Sequence, residues 1–326
     1  MMKRLRMINA INEALAEEME RDPKVILFGE DVKASLFGDT KGLFNRFGPD
    51  RVRDMPICEQ LLSGMAVGAA AAGYRVVCHM MYANFLYTGF DAIANQAAKL
   101  RLMTGGQIKL PIVYLAVSGG GRSAAAQHSD SVHALLMNLG GVKVVTPSIP
   151  ADAKALLKTA IRDDNPVVFL QAAGRGGESG DVPEEEVLLP FGQAAVRRAG
   201  SDVTVVVFGN MARNVQKAAD ALSEISIEII DPRTLVPLDE EAILASVRKT
   251  GRLVVVDEAR DRCSAASHIA AIAADRAFDH LRAPVRRVTV ADIAMPYSPP
   301  LEQAVLPNID RIVDAIRAVA DYKRSR

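Results

Sequence analysis

Short β-branched runs, nearly free of charge, alternate with helical patterns along most of this 326-residue chain. KVILFG (24–29), RVVCHM (75–80), PIVYLAV (111–117), VKVVTP (142–147) and PVVFLQA (166–172) are hydrophobic almost throughout. A strand with one wet face alternates apolar and polar residues, whereas a continuously apolar strand has to be covered on both faces. The stretches 60–72, 91–103 and 151–164 between them carry helical patterns, so a parallel sheet with helices on both sides is expected. At the N-terminus Ile8, Ile11, Leu15 and Met19 recur at helical spacing and predict an amphipathic helix rather than a secretory leader.

A Gly-rich, acidic and aperiodic stretch, 176–192, reads as a linker, and beyond it the pattern restarts. DVTVVVFG (202–209), IEIIDP (227–232), RLVVVDE (252–258) and RRVTV (286–290) read as strands. Helices are expected in NVQKAADALS (214–223), across 264–281, and in IDRIVDAIRAVADY (309–322). The expected class is α/β, with two doubly wound, mainly parallel-sheet domains at 1–175 and 193–326. Lys plus Arg and Asp plus Glu balance at 39 each, so no global field favours nucleic acid or an anionic membrane. No run reaches the roughly 18 to 20 apolar residues of a membrane span. Cys58, Cys78 and Cys263 are far apart with no CxxC, which argues against a disulfide framework or zinc site and for a reducing cytoplasm.

Between Glu59 and Arg75 there is no charged side chain. Gly64, Gly68 and Ala72 fall on one face of the expected helix and would let another backbone approach closely, in this chain or across an interface. Glu59 stands at the start of that helix, where the dipole favours its anion. Its apolar neighbours Ile57, Leu61 and Leu62 would favour the neutral acid through burial. Such a carboxyl either caps the helix or shares a proton with a heterocycle nitrogen.

The segments GED (29–31), RVRDMPICEQ (51–60), NQAAKLRLMTGGQ (95–107), AAQHSDS (125–131) and AIRDDNPVVFL (160–170) occur in this order. They are followed by IIDPRTLVPLDEEAI (229–243), SVRKTGRLVVVDEA (246–259) and APVRRVTVADIAMPY (283–297). Together they resemble the β subunit of the thiamine-diphosphate-dependent decarboxylase component of 2-oxoacid dehydrogenase complexes, a family that includes pyruvate, branched-chain and acetoin dehydrogenases. The resemblance implies a transketolase-like pyrimidine-binding domain followed by a transketolase C-terminal domain. It implies a heterotetramer of two α and two β chains with the cofactor at each α/β interface. The α subunit would supply the Gly-Asp-Gly motif for the diphosphate and its Mg2+, a motif this chain lacks. The implied activity is decarboxylation of a 2-oxoacid, or cleavage of an acyloin, with acyl transfer to lipoamide; the alternative is a two-subunit carboligase without a lipoyl partner.

By the same resemblance, Glu59 hydrogen-bonds the aminopyrimidine and promotes loss of the thiazolium proton, the cofactor carrying the hard chemistry. Phe85 would stack on the pyrimidine, with Met81 and Ile57 lining the pocket. His128 would donate to the substrate carboxylate or a developing oxyanion. Main-chain carbonyls of Ile112, Ala160, Ile161, Asp163 and Asn165 would hold a structural K+. In relatives the C-terminal region docks a lipoyl acyltransferase core; here the chain ends ADYKRSR. His79, Ala92, Gln171 and His268 depart from the family pattern and bear on substrate and partner choice.

Overall fold

The computed structural model describes residues 1–323, so the last three residues of the ADYKRSR tail lie outside them. Seven strands form the first sheet, in the spatial order Thr234–Val236, Lys143–Val145, Val167–Ala172, Ile112–Ser118, Arg75–Tyr82, Val25–Gly29 and Val52–Asp54. All neighbours run parallel except the first pair. The apolar runs are buried on both faces as expected. Val76, Cys78, Met80, Ile112, Tyr114 and Val168 point into one core with the Glu59–Ala71 helix. Val77, Val113, Leu115, Val167 and Phe169 point into the other, under the Met7–Arg21 and Pro150–Arg162 helices. Ile11, Leu15 and Met19 are among the residues the N-terminal helix buries there.

The second sheet has the order Arg286–Val290, Leu253–Arg260, Val203–Val207, Ile227–Asp231, Ala195–Arg198, parallel except for its last strand. Its two faces are covered by the Ala212–Asp220 and Ile309–Ala320 helices on one side, and by Glu240–Thr250 and Ala265–Arg276 on the other. Among the described residues, no helix is long and apolar enough to cross a membrane.

Three features depart from the expectation. The stretch read as linker contains the strand Ser179–Pro183, antiparallel to Met2–Arg6, with Val182 buried. One buried apolar residue in five is too faint a period to read from sequence. Thr234–Val236 comes from the second half of the chain yet extends the first sheet, antiparallel to Lys143–Val145. The helix expected over 91–103 is broken into a π-helical turn, Ala92–Ala97, and a short helix, Leu100–Met103. At this break the backbone comes so close to Gly141 that a Cβ there would lie 2.0 Å from the Ala98 carbonyl oxygen.

Polar contacts seal the two sheets together. His133 Nε2 lies 2.9 Å from Asp257 Oδ1, and Arg260 Nη2 lies 3.2 Å from Asp130 Oδ1. Arg197, braced within the second sheet by the buried Asp231 at 2.8 Å, pairs across with Asp152 of the Pro150–Arg162 helix, which Arg233 also meets at 3.0 Å.

The end of the Pro150–Arg162 helix leaves carbonyls without intrahelical partners. Arg75, at the start of its strand, meets two such groups: Nη1 donates to Ile161 O at 3.0 Å and Asp163 O at 3.1 Å. Its Nη2 donates to Asp164 Oδ1 at 2.9 Å. Arg75→Met keeps the apolar stem but strands these oxygens, and is expected to cost about 1–3 kcal/mol in urea unfolding. A loss within about 0.5 kcal/mol would show that the guanidinium is not what holds this corner.

Candidate active site

The Val25–Gly29 strand ends against Arg75–Tyr82 so closely that a Cβ on Gly29 would sit 2.2 Å from His79 O. The next residue, Glu30, is thereby carried into the interior, 5% exposed, with Oε1 lacking any hydrogen-bond partner. Burial foremost, then the Glu59 and Asp31 carboxylates, push Glu30 up to about 6 against the pull of His79. Behind it His79 Nε2 lies 3.1 Å from Asp39 Oδ2, both side chains being buried. The Met81 amide is directed at His79 Nδ1, which leaves Nε2 as the nitrogen that donates to Asp39.

Glu59 is the first residue of the Glu59–Ala71 helix, and the Cys58 side chain makes no cap there. The expected dry pocket is only half present in this chain. Glu59 is half-buried, Ile57 is 79% exposed and Leu61 is 51% exposed, while Leu62 alone of the three apolar neighbours faces the core. The burial expected at Glu59 falls on Glu30 instead. Along the same helix Gly64 and Gly68 are exposed, and a Cβ on either would meet nothing within 4 Å.

The strand Arg75–Tyr82 ends irregularly. Met81 is buried with φ +56°, a left-handed conformation that costs a side-chain-bearing residue free energy and recurs at functional sites. It turns the chain into the short Ala83–Tyr87 helix, which presents Phe85. That segment is pressed onto the Glu59 helix at Gly89, where a Cβ would lie 2.9 Å from Glu59 O and closer still to Ser63 Oγ. The half-buried Phe85 ring meets Tyr82 edge-on at 5.7 Å and His128 at 5.4 Å between centroids. Tyr82 also meets His128 at 4.7 Å and Phe37 at 5.2 Å. Phe85 and His128 are thus brought together, both against Tyr82, and Gly89 holds the Phe85 turn against the helix that Glu59 opens.

Sequence reasoning missed Glu30, Tyr82 and Gly89. Glu30 was visible only as part of GED following a strand, and Tyr82 as one aromatic among several in MMYANFLY. Of the five residues whose carbonyls are expected around a cation, Ala160 and Ile161 lie in the last turn of the Pro150–Arg162 helix, Asp163 and Asn165 just beyond it, and Ile112 stands opposite Val76 in the ladder. Two of them, Ile161 and Asp163, already accept from Arg75, so a cation there would have to share their lone pairs.

The chain matches the family models "Transketolase, pyrimidine binding domain" over residues 3–173 and "Transketolase, C-terminal domain" over residues 192–312. It is 43% identical to the acetoin:2,6-dichlorophenolindophenol oxidoreductase subunit beta of Bacillus subtilis, covering 94% of each chain. It is 44% identical to the pyruvate dehydrogenase E1 component subunit beta of Rickettsia conorii, over 96% of this chain and 97% of that one. Identity to the 2-oxoisovalerate dehydrogenase subunit beta of Bacillus subtilis is 40%, over 97% and 98%. Among solved structures, "Split gene transketolase, inactive beta4 tetramer" superposes with a TM-score of 0.80 at 26% identity, covering 98% of this chain and 99% of that one. With both transketolase domains matched and full-length likeness to these subunits, the chain belongs to the transketolase-like family of thiamine-diphosphate-dependent dehydrogenase beta subunits.

Proposed function

We propose that this chain is the beta subunit of a dehydrogenase component that decarboxylates a 2-oxoacid, or cleaves an acyloin, and passes the acyl group to lipoamide. The observation that carries this reading is the contact of Phe85 with His128, beside a turn that Gly89 presses onto the Glu59 helix, in a chain that matches dehydrogenase beta subunits over nearly its whole length. Thiamine diphosphate, when bound, supplies the carbon nucleophile for such chemistry. The donor set suits its pyrimidine end. Glu59 offers a carboxylate at the rim, the orphaned oxygen of Glu30 lies behind it, and Phe85 offers a partly open ring face. Met81 and Ile57 would supply apolar lining, and His128 would donate to a substrate carboxylate.

The chain is active only with an alpha subunit, which would hold the diphosphate and Mg2+ in an assembly of two alpha and two beta chains. The exposed Ile57 and Leu61, with the bare glycine face of the same helix, support burial against another chain. Leu102 and Met103, at 85% and 75% exposure, enlarge the apolar surface left open. A K+ ion would occupy lone pairs left over by Arg75 at the helix end, a hard cation among hard oxygens. A lipoyl acyltransferase core is the acyl acceptor this reading requires, and cytoplasm the compartment it suits.

The decisive experiment supplies co-purified alpha and beta chains with thiamine diphosphate, Mg2+ and an artificial electron acceptor, then a panel of 2-oxoacids and acyloins. Reduction of the acceptor by at least one substrate is expected. Cofactor binding with an inert panel would sink the reading, and carbon–carbon bonded products formed without lipoamide would turn it to the carboligase.

Glu59→Gln is expected to lower turnover by about 10²- to 10⁴-fold, the range for a positioned acid–base group, while assembly is kept. A near-normal rate would remove Glu59 from the chemistry.

Glu30 gives a stability signature. Its carboxyl is raised from the ordinary 4.5 to about 6 in the fold, so in this window the native chain keeps a proton that the unfolded chain has released. Its favourable contribution is therefore complete below about pH 4.5 and lost as pH rises through about 6. Melting temperatures of the isolated chain between pH 4.5 and 7 should fall with this contribution, and Glu30→Gln should flatten the slope. Identical slopes for both proteins would show that Glu30 is not buried as an acid.

A further inference from the structure

His128 rides on a loop, Gly119–Asp130, that leaves the end of the Ile112–Ser118 strand and closes on itself through Gly119 N–H to Asp130 O at 3.1 Å. Its backbone is under strain. Ser123 has φ +52°, and Ala125, three residues before the histidine, has φ +62° and ψ −175°, a region nearly confined to glycine. Conformations of this kind persist only where surrounding contacts over-determine them. Asn84, from the first domain, holds the far side, donating to Ala126 O at 3.1 Å and Asp130 Oδ2 at 3.0 Å.

On the near side two carboxylates of the second domain accept the loop's amides. Glu258, at the end of the Leu253–Arg260 strand, accepts the Gly120 amide on Oε1 and Asn210 Nδ2, at 2.8 Å, on Oε2. Glu302, on the Pro299–Val305 helix and 2% exposed, accepts Gly121 N–H on Oε1 and Ser123 N–H on Oε2, both at 2.9 Å. Ser123 Oγ adds a contact to Oε2 at 3.3 Å. Gly119 makes room for this: a Cβ there would sit 2.6 Å from Glu258 Oε2 and 2.3 Å from Asn210 Nδ2.

We infer that Glu258 and Glu302 are positioning residues for His128, a clamp from the second domain that fixes three successive points of the strained loop and so holds the imidazole against Tyr82 and Phe85. The inference rests on the reading of His128 given above. It assigns the second domain a part in setting the reactive geometry of the first. All four carboxylate oxygens receive N–H donors, so a glutamine at either position must turn its N–H2 toward one of them. Shape is kept; at Glu302 one tether of the loop is lost, and at Glu258 either the Gly120 tether or the Asn210 contact that braces it.

The test uses the reconstituted alpha/beta complex with Glu258→Gln, Glu302→Gln and His128→Gln, alone and combined. In the Glu302→Gln complex, amide exchange over residues 119–131 is expected to rise about 10-fold, and kcat to fall about 10-fold, the scale of a small misplacement of a reacting group. Thiamine diphosphate affinity should stay within about 2-fold, because the clamp does not touch the pyrimidine rim. Glu258→Gln should act in the same direction and by less, since only one of its two donors belongs to the loop. In the His128→Gln background either substitution should cost less than about 2-fold, since its route to the chemistry is already cut. Equal losses in both backgrounds, or unchanged exchange of the loop, would overturn the inference alone. A His128→Gln complex at full rate would overturn the reading of His128 itself, and the inference with it.

Discussion

A parallel sheet covered on both faces leaves one place for chemistry, the open ends of its strands, and this constraint organises both halves of the molecule. Glu30 follows the last residue of Val25–Gly29. Phe85 follows the Arg75–Tyr82 strand by one short turn, and the His128 loop follows Ile112–Ser118. In the second half Asn210 comes just after Val203–Val207, and Glu258 lies near the end of Leu253–Arg260. The two sheets are turned so that these ends meet. A side chain at a strand end inherits rigidity from the ladder behind it, while its own backbone is free to bend, as it does at Met81 and Ala125. The strain therefore sits where the framework is stiff enough to hold it.

Meeting end to end also explains how the carboxylates divide. A buried acid survives either by finding donors or by keeping its proton. Glu302 finds amide donors in the loop of the other domain. Glu258 finds two donors, and burial still pushes it up to about 7. Glu30 finds none for one of its oxygens and is buried beside two further carboxylates. At Glu258 burial outweighs its two donors, raising it even further than Glu30. The least satisfied of the three acids is the one that lies behind the half-open rim.

The strand framework was legible because a strand buried on both faces writes its burial into every residue: Val76, Val77, Cys78 and Ile112 to Leu115 are apolar whichever way they point. Helices with a strong apolar face, such as Met7–Arg21 and Pro150–Arg162, were legible for the same reason. Elements that bury little were not. Ser179–Pro183 and Thr234–Val236 gain their place by pairing with strands distant in sequence, a long-range contact with almost no local signature. The site divides along the same line. Glu59 stood out because its surroundings are uncharged, and His128 and Phe85 through family likeness. Glu30 did not, because what distinguishes it is a neighbour brought in by Gly29 packing on His79. The clamp on the His128 loop joins residues more than a hundred positions apart, and nothing local marks Glu302 as an acceptor for Ser123.

The apolar residues that ought to seal Glu59 from water expose themselves instead: Ile57 and Leu61 stand out, and the glycines beyond them are bare. Hydrophobic surface left in the open at one spot is costly for a lone chain and favourable once covered. A carboxylate that must exchange a proton with a ring is better served in a dry site, where its hydrogen bond strengthens, than in water. Building the rim from a helix whose outer face is small and uncharged ties the two conditions together. A contact that buried Ile57 and Leu61 would dehydrate Glu59 as well. Under the proposed function the chain would thus supply the acid, its buried companion and the histidine loop, and the exclusion of water would fall to the chain that covers this face.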